Sequence, residues 1–479
     1  PAHAGLIALR DRLALVTPES QYWVLAPHLG GYSLFRWLGH VLAIPLGPVG
    51  AVRLLAALPS ALFPASFLFA RRRLYGESNP AFAFSGLALS FGLMTLLGFA
   101  SFLIALSLVI VGLVLWLELL VLAERPGVAP SEKRTLQAKV TFAAVVIVVA
   151  HGFAFILFLV LCAVTALVQA PRWPRLRQLL LVAPAFGLAS WSTLVERSET
   201  VPAGSAPWLG HEPPIHFQGL LDKLSLLVTP TLMTRWGVDL AFSLFLWGWA
   251  AFALARAFTR PAASPHVRPL AVAAIVSLLL FAALPHSIHW FGFVDGRVVL
   301  LALMLGCLAV PRSSLSPRLI QIFDRAVPIG ATVMVALVLA ASFVFQKEAR
   351  GYRQVLGDVP NGARLLNLPI EPNSHVFTAH PFVHYDKLIL VERPLVASDV
   401  WFHQGSALYP TRRNPALTLP ASYIESNLGA IDWSSYPLDP WDYVLVRLDP
   451  DDARPVVPAR LLLVHHEGGW WLFRVGPVG

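Results

Sequence analysis

The residues best suited to chemistry sit at the start of an apolar stretch, in the run His286-Ser-Ile-His289-Trp-Phe-Gly-Phe-Val-Asp295-Gly-Arg297. Ionisable groups at the mouth of such a stretch are costly to bury and usually face a polar space. Arg297 could grip a phosphate through two parallel N–H bonds, or pair with Asp295 and reach toward lipid headgroups. His286 and His289 are three residues apart, a spacing that can set both on one helical face. They could contribute to a phosphate site or, with His211 or His216, bind a metal ion. No HExxH or comparable signature accompanies them, so no metal site is assigned and a divalent cation is only an option. His151 stands at a turn between two apolar stretches, where it either lines the same polar space or caps a helix end. Nearer the N-terminus, Arg36 and His40 share a stripe with Ser33, and Asp11 and Glu19 are the acids upstream of them. Asp11 lies in Arg10-Asp11-Arg12, which reads as a solvated charge run or as a carboxylate able to accept a proton.

The elements that must position these groups are set by composition. Of 479 residues, 56% are hydrophobic and 13% are charged, about half the charged share of a soluble domain. The mean hydropathy is +0.65. A span through a hydrocarbon layer needs about 20 apolar residues, and such stretches recur from Gly50 to Gln346. They are read as spans over 50–70, 80–97, 99–123, 136–150, 152–170, 178–194, 238–256, 270–285, 297–311 and 326–346. The net charge of +9 does not mark a nucleic-acid binder, because Lys and Arg gather in short loops between spans. Arg71, Arg72, Arg73, Arg125, Lys133, Arg134, Lys139, Arg172, Arg175, Arg177, Arg256, Arg260, Arg268, Arg312, Arg318 and Arg325 fall in one alternating set of connections. The other set holds only Arg197, Lys223, Arg235 and Arg297. The positive-inside rule makes the first set cytoplasmic and puts Pro1–Gly47 and the C-terminal part on the outer side.

On that outer side, Phe217, Leu220, Leu221, Leu224, Leu227 and Val228 follow helical spacing with Asp222, Lys223 and Ser225 opposite, the pattern of a helix lying in the membrane interface. Tyr32–Ile44 reads the same way. Glu196, Arg197 and Glu199 form a charged cluster in the same loop. Glu118 lies inside an apolar span near its cytoplasmic end, where it pairs with a neighbouring helix or snorkels. Cys162 and Cys307 each sit within an apolar span and offer neither a disulfide framework nor a CxxC motif.

Beyond Gln346 the composition shifts toward short strands: Arg364–Leu368, Val376–Thr378, Lys387–Val391, Tyr443–Arg447 and Leu461–His465. The last is expected to pair with Trp470–Arg474 across Glu467-Gly-Gly469. Lys347–Asp358 is expected to be a connecting helix. The resulting division is an outer segment with interfacial helices at 1–47, a helical membrane body at 48–346 and an extracytoplasmic α/β domain at 347–479. In this last part His375, His380, His384, Asp386 and His403 fit no standard metal spacing and read as strand residues. Trp433, Trp441, Trp470 and Trp471 could stack on sugars or fill a core.

The order of interfacial helix, Gly-Pro-x-Gly-Ala-x-Arg-Leu-Leu at 47–55, a Gly98-Phe99 turn and His151 at a second turn resembles GT-C-type membrane glycosyltransferases. Gly362-Ala-Arg-Leu-Leu-Asn-Leu368, Trp441-Asp-Tyr-Val-Leu-Val446 and Gly469-Trp-Trp-Leu-Phe-Arg474 extend the resemblance over nearly the whole chain, toward uncharacterised bacterial proteins of that group. It implies a polytopic helical membrane protein of the bacterial inner membrane that moves a sugar from a polyprenyl-phosphate carrier to a glycan or protein acceptor in the envelope. In that group the catalytic acid follows the first transmembrane helix. The sequence begins at Pro1 with no apolar helix before residue 32, so that helix is expected upstream, and Asp11, with Glu19 as alternate, is the candidate base. Arg297, Asp295, His286, His289, His151, Arg36, His40, His211 and His216 are then the candidate lipid-phosphate and substrate groups. A transporter or flippase would call for broken polar helices at the midplane in two related halves, and no such halves are seen. A non-catalytic envelope scaffold with a partner-binding C-terminal domain is the third reading.

Overall fold

The computed structural model describes residues 2–13, 15, 17–25, 33–123, 125–169, 172–198, 215–260, 264–288, 291–383, 385–398, 408–410, 433 and 437–477. From the N-terminus, α1 (Ala2–Leu13) and strand β1 (Trp23–Leu25) lead to α2 (Ser33–Ala57), α3 (Pro59–Tyr75), α4 (Ala81–Leu89) and α5 (Leu93–Leu96). Next come α6 (Ala100–Leu122), α7 (Pro130–Ala150), α8 (Gly152–Val168), α9 (Arg172–Arg177) and α10 (Ala183–Ser198). Strand β2 (Ile215–His216) and α11 (Leu220–Leu226) precede α12 (Val238–Thr259) and α13 (Val267–Ala283). Strand β3 (Ser287–Ile288), α14 (Val294–Leu308), α15 (Pro317–Glu348) and α16 (Tyr352–Leu356) complete the helical part.

Two helices form the middle of this body because they are apolar all round. On α14 every residue is buried, and α6 buries Phe102, Leu106, Ile110, Leu113, Trp116 and Leu120. On α6 the buried indole of Trp116 is satisfied: its Nε1 donates to Thr165 Oγ1 at 3.1 Å. The peripheral helices instead turn Ile156, Leu244, Leu279, Ile329 and Phe343 outward. Exposed apolar surface on this scale would be an aggregation hazard in water, and it is the surface a bilayer solvates. Four helical stretches among the described residues are long and apolar enough to cross a membrane: Ser33–Tyr75, Ala100–Leu122, Val238–Thr259 and Pro317–Glu348. Gly152–Val168 and Val267–Ala283 are shorter apolar helices. The chain is a polytopic α-helical membrane protein.

Several elements differ from the sequence expectation. The stretch 80–97 is not one helix but α4 and α5, separated at Ser90–Gly92. The loop Thr229–Pro230 fills the break: Leu93 N donates to Thr229 O at 3.1 Å, and Gly92 lies so close that an added Cβ would stand 2.2 Å from Pro230 O. The interfacial segment expected at Tyr32–Ile44 continues into the next span, since α2 runs through to Ala57 with only a left-handed break at Gly47, φ 69°. Glycine supplies that conformation at low cost.

The basic loops converge at one end of the body. Arg71 donates to Val310 O at 2.6 Å and pairs with Glu77, and Tyr75 OH donates to Leu308 O at 2.9 Å. Arg73 forks onto Glu118 at 2.6 Å, and Arg312 pairs with Asp324, which also accepts from Asn79. Arg256 Nε donates to Ser314 O at 3.0 Å. Glu118 is thereby an interhelical partner, as one of its two readings held.

Past α16, strands β4 (Arg364–Pro369), β5 (Val396–Ala397), β7 (Tyr443–Arg447), β8 (Leu461–Glu467) and β9 (Trp470–Val475) form a five-stranded sheet in the order β5-β4-β7-β9-β8, while β6 (Leu408–Pro410) pairs with β1. Strand β4 is parallel to β5 and β7, and β9 is antiparallel to β7 and β8. The expected hairpin forms, with Gly468 at φ 57° supplying the turn. Lys387–Val391 is not a strand: a 3₁₀ turn at Tyr385–Leu388 passes into helix α17 (Ile389–Glu392). A short apolar run carries no periodicity to separate the two outcomes. Burial of Ile389 and Leu390 and a hydrogen bond from Tyr352 OH to Asp386 O at 3.0 Å hold the turn here. Val376–Thr378 is likewise not a sheet strand. It lies along the loop before α12, with Arg235 N donating to Val376 O and Thr378 N to Met233 O.

Candidate functional site

At the end of the body opposite the basic loops, α13 stops before Pro285, a residue that biases its predecessor away from helix. The carbonyls left open there are taken by Lys223 of α11, whose Nζ donates to Ala282 O at 2.8 Å and Leu284 O at 2.6 Å. A cation at a helix C-terminus also complements the helix dipole. The chain then passes through His286, whose backbone is held on both sides. His286 N donates to His216 O at 2.8 Å, and Val294 N donates to His286 O at 2.9 Å. The β2–β3 pairing sets Ile215 against Ile288 and His216 against Ser287. Phe293, at φ 55°, makes the turn into α14.

Asp295 lies in the first turn of α14 and is 0% exposed. Its Oδ1 accepts from Gly296 N at 2.8 Å and meets His286 Nδ1 at 2.9 Å, while Lys223 Nζ stands 4.0 Å from Oδ2. A carboxylate buried this completely needs such neighbours, because an uncompensated buried charge costs several kcal/mol. Two residues on, the Arg297 guanidinium is seated among aromatic rings, 4.0 Å from Phe291, 4.2 Å from Phe99 and 5.7 Å from Phe102, with Nη2 donating to Gly292 O at 3.2 Å. Each such face stabilises the cation by about 0.5–2 kcal/mol. His151, at the turn from α7 to α8, packs edge-on against Phe102 at 5.3 Å and accepts from Ala154 N at 3.4 Å. The His216 ring lies 6.4 Å from that of His286. Asp295, Arg297, His286, His216 and His151, scattered over the sequence, thus meet in one place.

The N-terminal candidates divide. Glu19 is buried and takes Arg12 Nε at 2.9 Å, a structural ion pair closing the turn after α1. Asp11 Oδ1 lies 2.8 Å from His40 Nδ1, an ion-pair contact without hydrogen-bond alignment, and both side chains are 42–45% exposed. Arg36 Nη2 donates to Ser33 Oγ at 3.3 Å. Helix α1 reaches the central cluster through His3, whose Nε2 bonds Gly98 O at 3.1 Å beside the Phe99 ring that carries Arg297. Its Gly5 lies against the Lys387 carbonyl, where an added Cβ would stand 2.5 Å away. His211 and His289, like Glu199, His384 and His403, lie outside the described residues. Among the described residues no group of three His, Cys, Asp or Glu side chains could hold a metal ion.

The sequence reading missed the part Lys223 plays. It assigned Lys223 to the solvated face of an interfacial helix, whereas Lys223 is 9% exposed and Leu221 is 81% exposed. Helix α11 buries Lys223 and Leu226 against the protein and leaves Leu220, Leu221 and Leu224 exposed together with Asp222 and Ser225. Phe217 just before it is exposed as well, giving an apolar surface suited to a lipid interface. A lone Lys among leucines next to a charged loop was the available signal. Phe99, Phe102 and Phe291 carried no sequence signal beyond being aromatic.

No protein-family model and no curated protein sequence matches the chain. Among solved structures, the crystal structure of ArnT from Cupriavidus metallidurans bound to undecaprenyl phosphate aligns with TM-score 0.56 at 15% identity, covering 99% of this chain and 95% of that one. The apo structure of the same protein aligns with TM-score 0.52 at 15% identity, over 99% and 94%. Arabinofuranosyltransferase AftD from Mycobacteria aligns with TM-score 0.45 at 16% identity, over 99% of this chain and 40% of that one. The likeness to ArnT extends over nearly the whole of both chains, and the chain has the GT-C-type membrane glycosyltransferase fold.

Proposed function

We propose that the protein is a membrane glycosyltransferase that moves a sugar from a polyprenyl-phosphate donor to a glycan or protein acceptor of the bacterial envelope. The observation that carries this reading is Arg297, a buried cation seated on three aromatic rings beside a carboxylate–imidazole pair. Keeping a guanidinium at the mouth of a central membrane helix is expensive. A departing lipid-linked phosphate needs a fixed cation to stabilise it, and Arg297 takes that role in this reading. Support comes also from the full-length likeness to an ArnT structure described as bound to undecaprenyl phosphate. In this reading Arg297 holds the phosphate, His151 and His216 flank it, and the outward leucines of α11 mark the lipid side. Of the two N-terminal acids, Asp11 with His40 is the one an acceptor can reach.

The same reading puts the basic loops in the cytosol, with about ten spans, an outer segment at 1–47, a membrane body at 48–346 and an extracytoplasmic domain at 347–479. The convergence of Arg71, Arg73, Arg256 and Arg312 at the end away from His286 supports it. Binding of radiolabelled undecaprenyl phosphate to purified protein tests the proposal. Arg297→Ala should weaken it about 10- to 100-fold, the worth of one or two charge-assisted hydrogen bonds. Arg235→Ala, which removes an arginine whose Nε donates to Phe377 O at 3.2 Å, should leave it within about twofold, a surface-like change. Equal affinity of the two variants would remove Arg297 from the site.

A further inference from the structure

We propose that His286 is the group that takes the proton from the acceptor, with Asp295 as its positioning residue; this rests on the donor chemistry proposed above. A carboxylate only accepts hydrogen bonds, so the 2.9 Å contact of Asp295 Oδ1 with His286 Nδ1 puts the imidazole proton on Nδ1 and leaves the Nε2 lone pair free to accept. The ring is held in place by its bond to Asp295 and by a T-shaped contact with Phe293, centroids 4.7 Å apart, on a backbone fixed by His216 O and Val294 N. Asp295 is itself fixed by Gly296 N and faces Lys223. The imidazole side chain keeps a 15% exposed edge while Asp295 has none, so the edge that meets substrate is that of the histidine.

In the step, the acceptor oxygen forms a bond to the anomeric carbon as the bond from that carbon to the phosphate oxygen breaks. Its electron pair leaves on the lipid phosphate, beside Arg297. The acceptor hydroxyl proton passes to His286 Nε2 and afterwards to the released phosphate or to water. A base in this role contributes about 10²- to 10⁴-fold. Neither N-terminal acid offers comparable fixing: Glu19 is buried on Arg12, and Asp11 meets His40 in a half-exposed contact.

The test uses the full chain in detergent micelles, with undecaprenyl-phosphate-linked pentoses and hexoses as donors, water as the minimal acceptor, and release of undecaprenyl phosphate as readout. His286→Gln should lower kcat at least 100-fold, remove the acid-side fall of the pH–rate profile, and leave undecaprenyl phosphate binding within about twofold of wild type. Asp295→Asn should lower kcat less and move the His286 ring-nitrogen resonances of histidine-labelled protein toward the mixed-tautomer position. Among the described residues, the charged and titratable groups set around His286 are Asp295 of α14, the Lys223 of α11 that faces Asp295, and His216 of β2, with Arg297 two residues further along α14. A His216→Gln control that alone removed the pH limb would transfer the role to His216. Retained turnover and pH dependence in His286→Gln, or their loss in Asp11→Asn alone, would overturn the assignment while the donor reading stood. Wild-type protein that neither binds undecaprenyl phosphate nor releases it would sink both.

Discussion

Lys223 and Asp295 lie on different helices, are both buried and approach to 4.0 Å. Two opposite charges at that separation attract by about 4 kcal/mol at an effective dielectric of 20. Lys223→Met removes this attraction together with two hydrogen bonds to the last carbonyls of α13. Leaving a buried carboxylate without its cation costs about 3–5 kcal/mol, so the single variant should be destabilised by about that amount. Asp295→Asn removes the charge that Lys223 compensates. In the double variant the carbonyl bonds are still missing, but the stranded charge is gone, and the loss should be smaller than the sum of the singles by about 0.5–3 kcal/mol, the usual range for residues in one network. The carbonyl contacts drop out of the double-mutant cycle because they are deleted equally in both backgrounds. Reversible denaturant unfolding in mixed micelles, followed by tryptophan fluorescence, measures all four corners. A coupling below about 0.5 kcal/mol, the additivity limit for independent sites, would refute the view that Lys223 sustains the buried charge on which His286 is oriented.

Gly92→Ala should destabilise by about 1–3 kcal/mol, the range for forced overpacking, because its Cβ would stand 2.2 Å from the Pro230 carbonyl oxygen. Gly152→Ala, where a Cβ meets nothing within 4 Å, should be close to neutral in the same melt. The C-terminal sheet should loosen in acid. Burial pushes the Asp442 carboxyl up, but hydrogen bonds from the Arg364 side chain and backbone outweigh it and hold the carboxyl below its usual 3.8. Asp449 is lowered likewise, burial being outweighed by the Asp451 amide and by His375. A carboxyl depressed in the folded state adds stability above its unfolded value and loses it as the pH falls through the folded one. Fluorescence of the adjacent buried Trp441 should therefore report loosening as the pH falls below the usual carboxyl value of 3.8, and Asp442→Asn should flatten that dependence. An unchanged acid transition in the variant would count against the pair. Its partial exposure keeps the expected effect small.

The fold class was legible in the residues because a bilayer imposes long apolar stretches and segregates charge, two patterns carried by composition alone. The long helices α6, α12 and α15 fall where hydropathy put them, and the basic loops do meet at one end. The hairpin at Gly468-Gly469 was equally readable, since its turn chemistry is local. Where the outcome depended on what lay opposite, the sequence was silent. The break between α4 and α5 exists because the Thr229–Pro230 loop, remote in the chain, fills it. The Lys387–Val391 run became a turn and a helix because burial and a hydrogen bond from Tyr352 settled an apolar stretch with no period of its own.

The site divides along the same line. That Asp295, Arg297 and His286 are too costly to sit idly at a span mouth follows from their residue types and their apolar surroundings. That Asp295 holds His286, that Lys223 points inward from a leucine-rich helix, and that Phe99, Phe102 and Phe291 enclose Arg297 are matters of packing between segments up to two hundred residues apart. Residue type sets which groups are expensive to bury, whereas three-dimensional packing decides which partner offsets that expense. Only the second kind of information distinguishes Glu19, locked on Arg12, from His286, fixed with one nitrogen open.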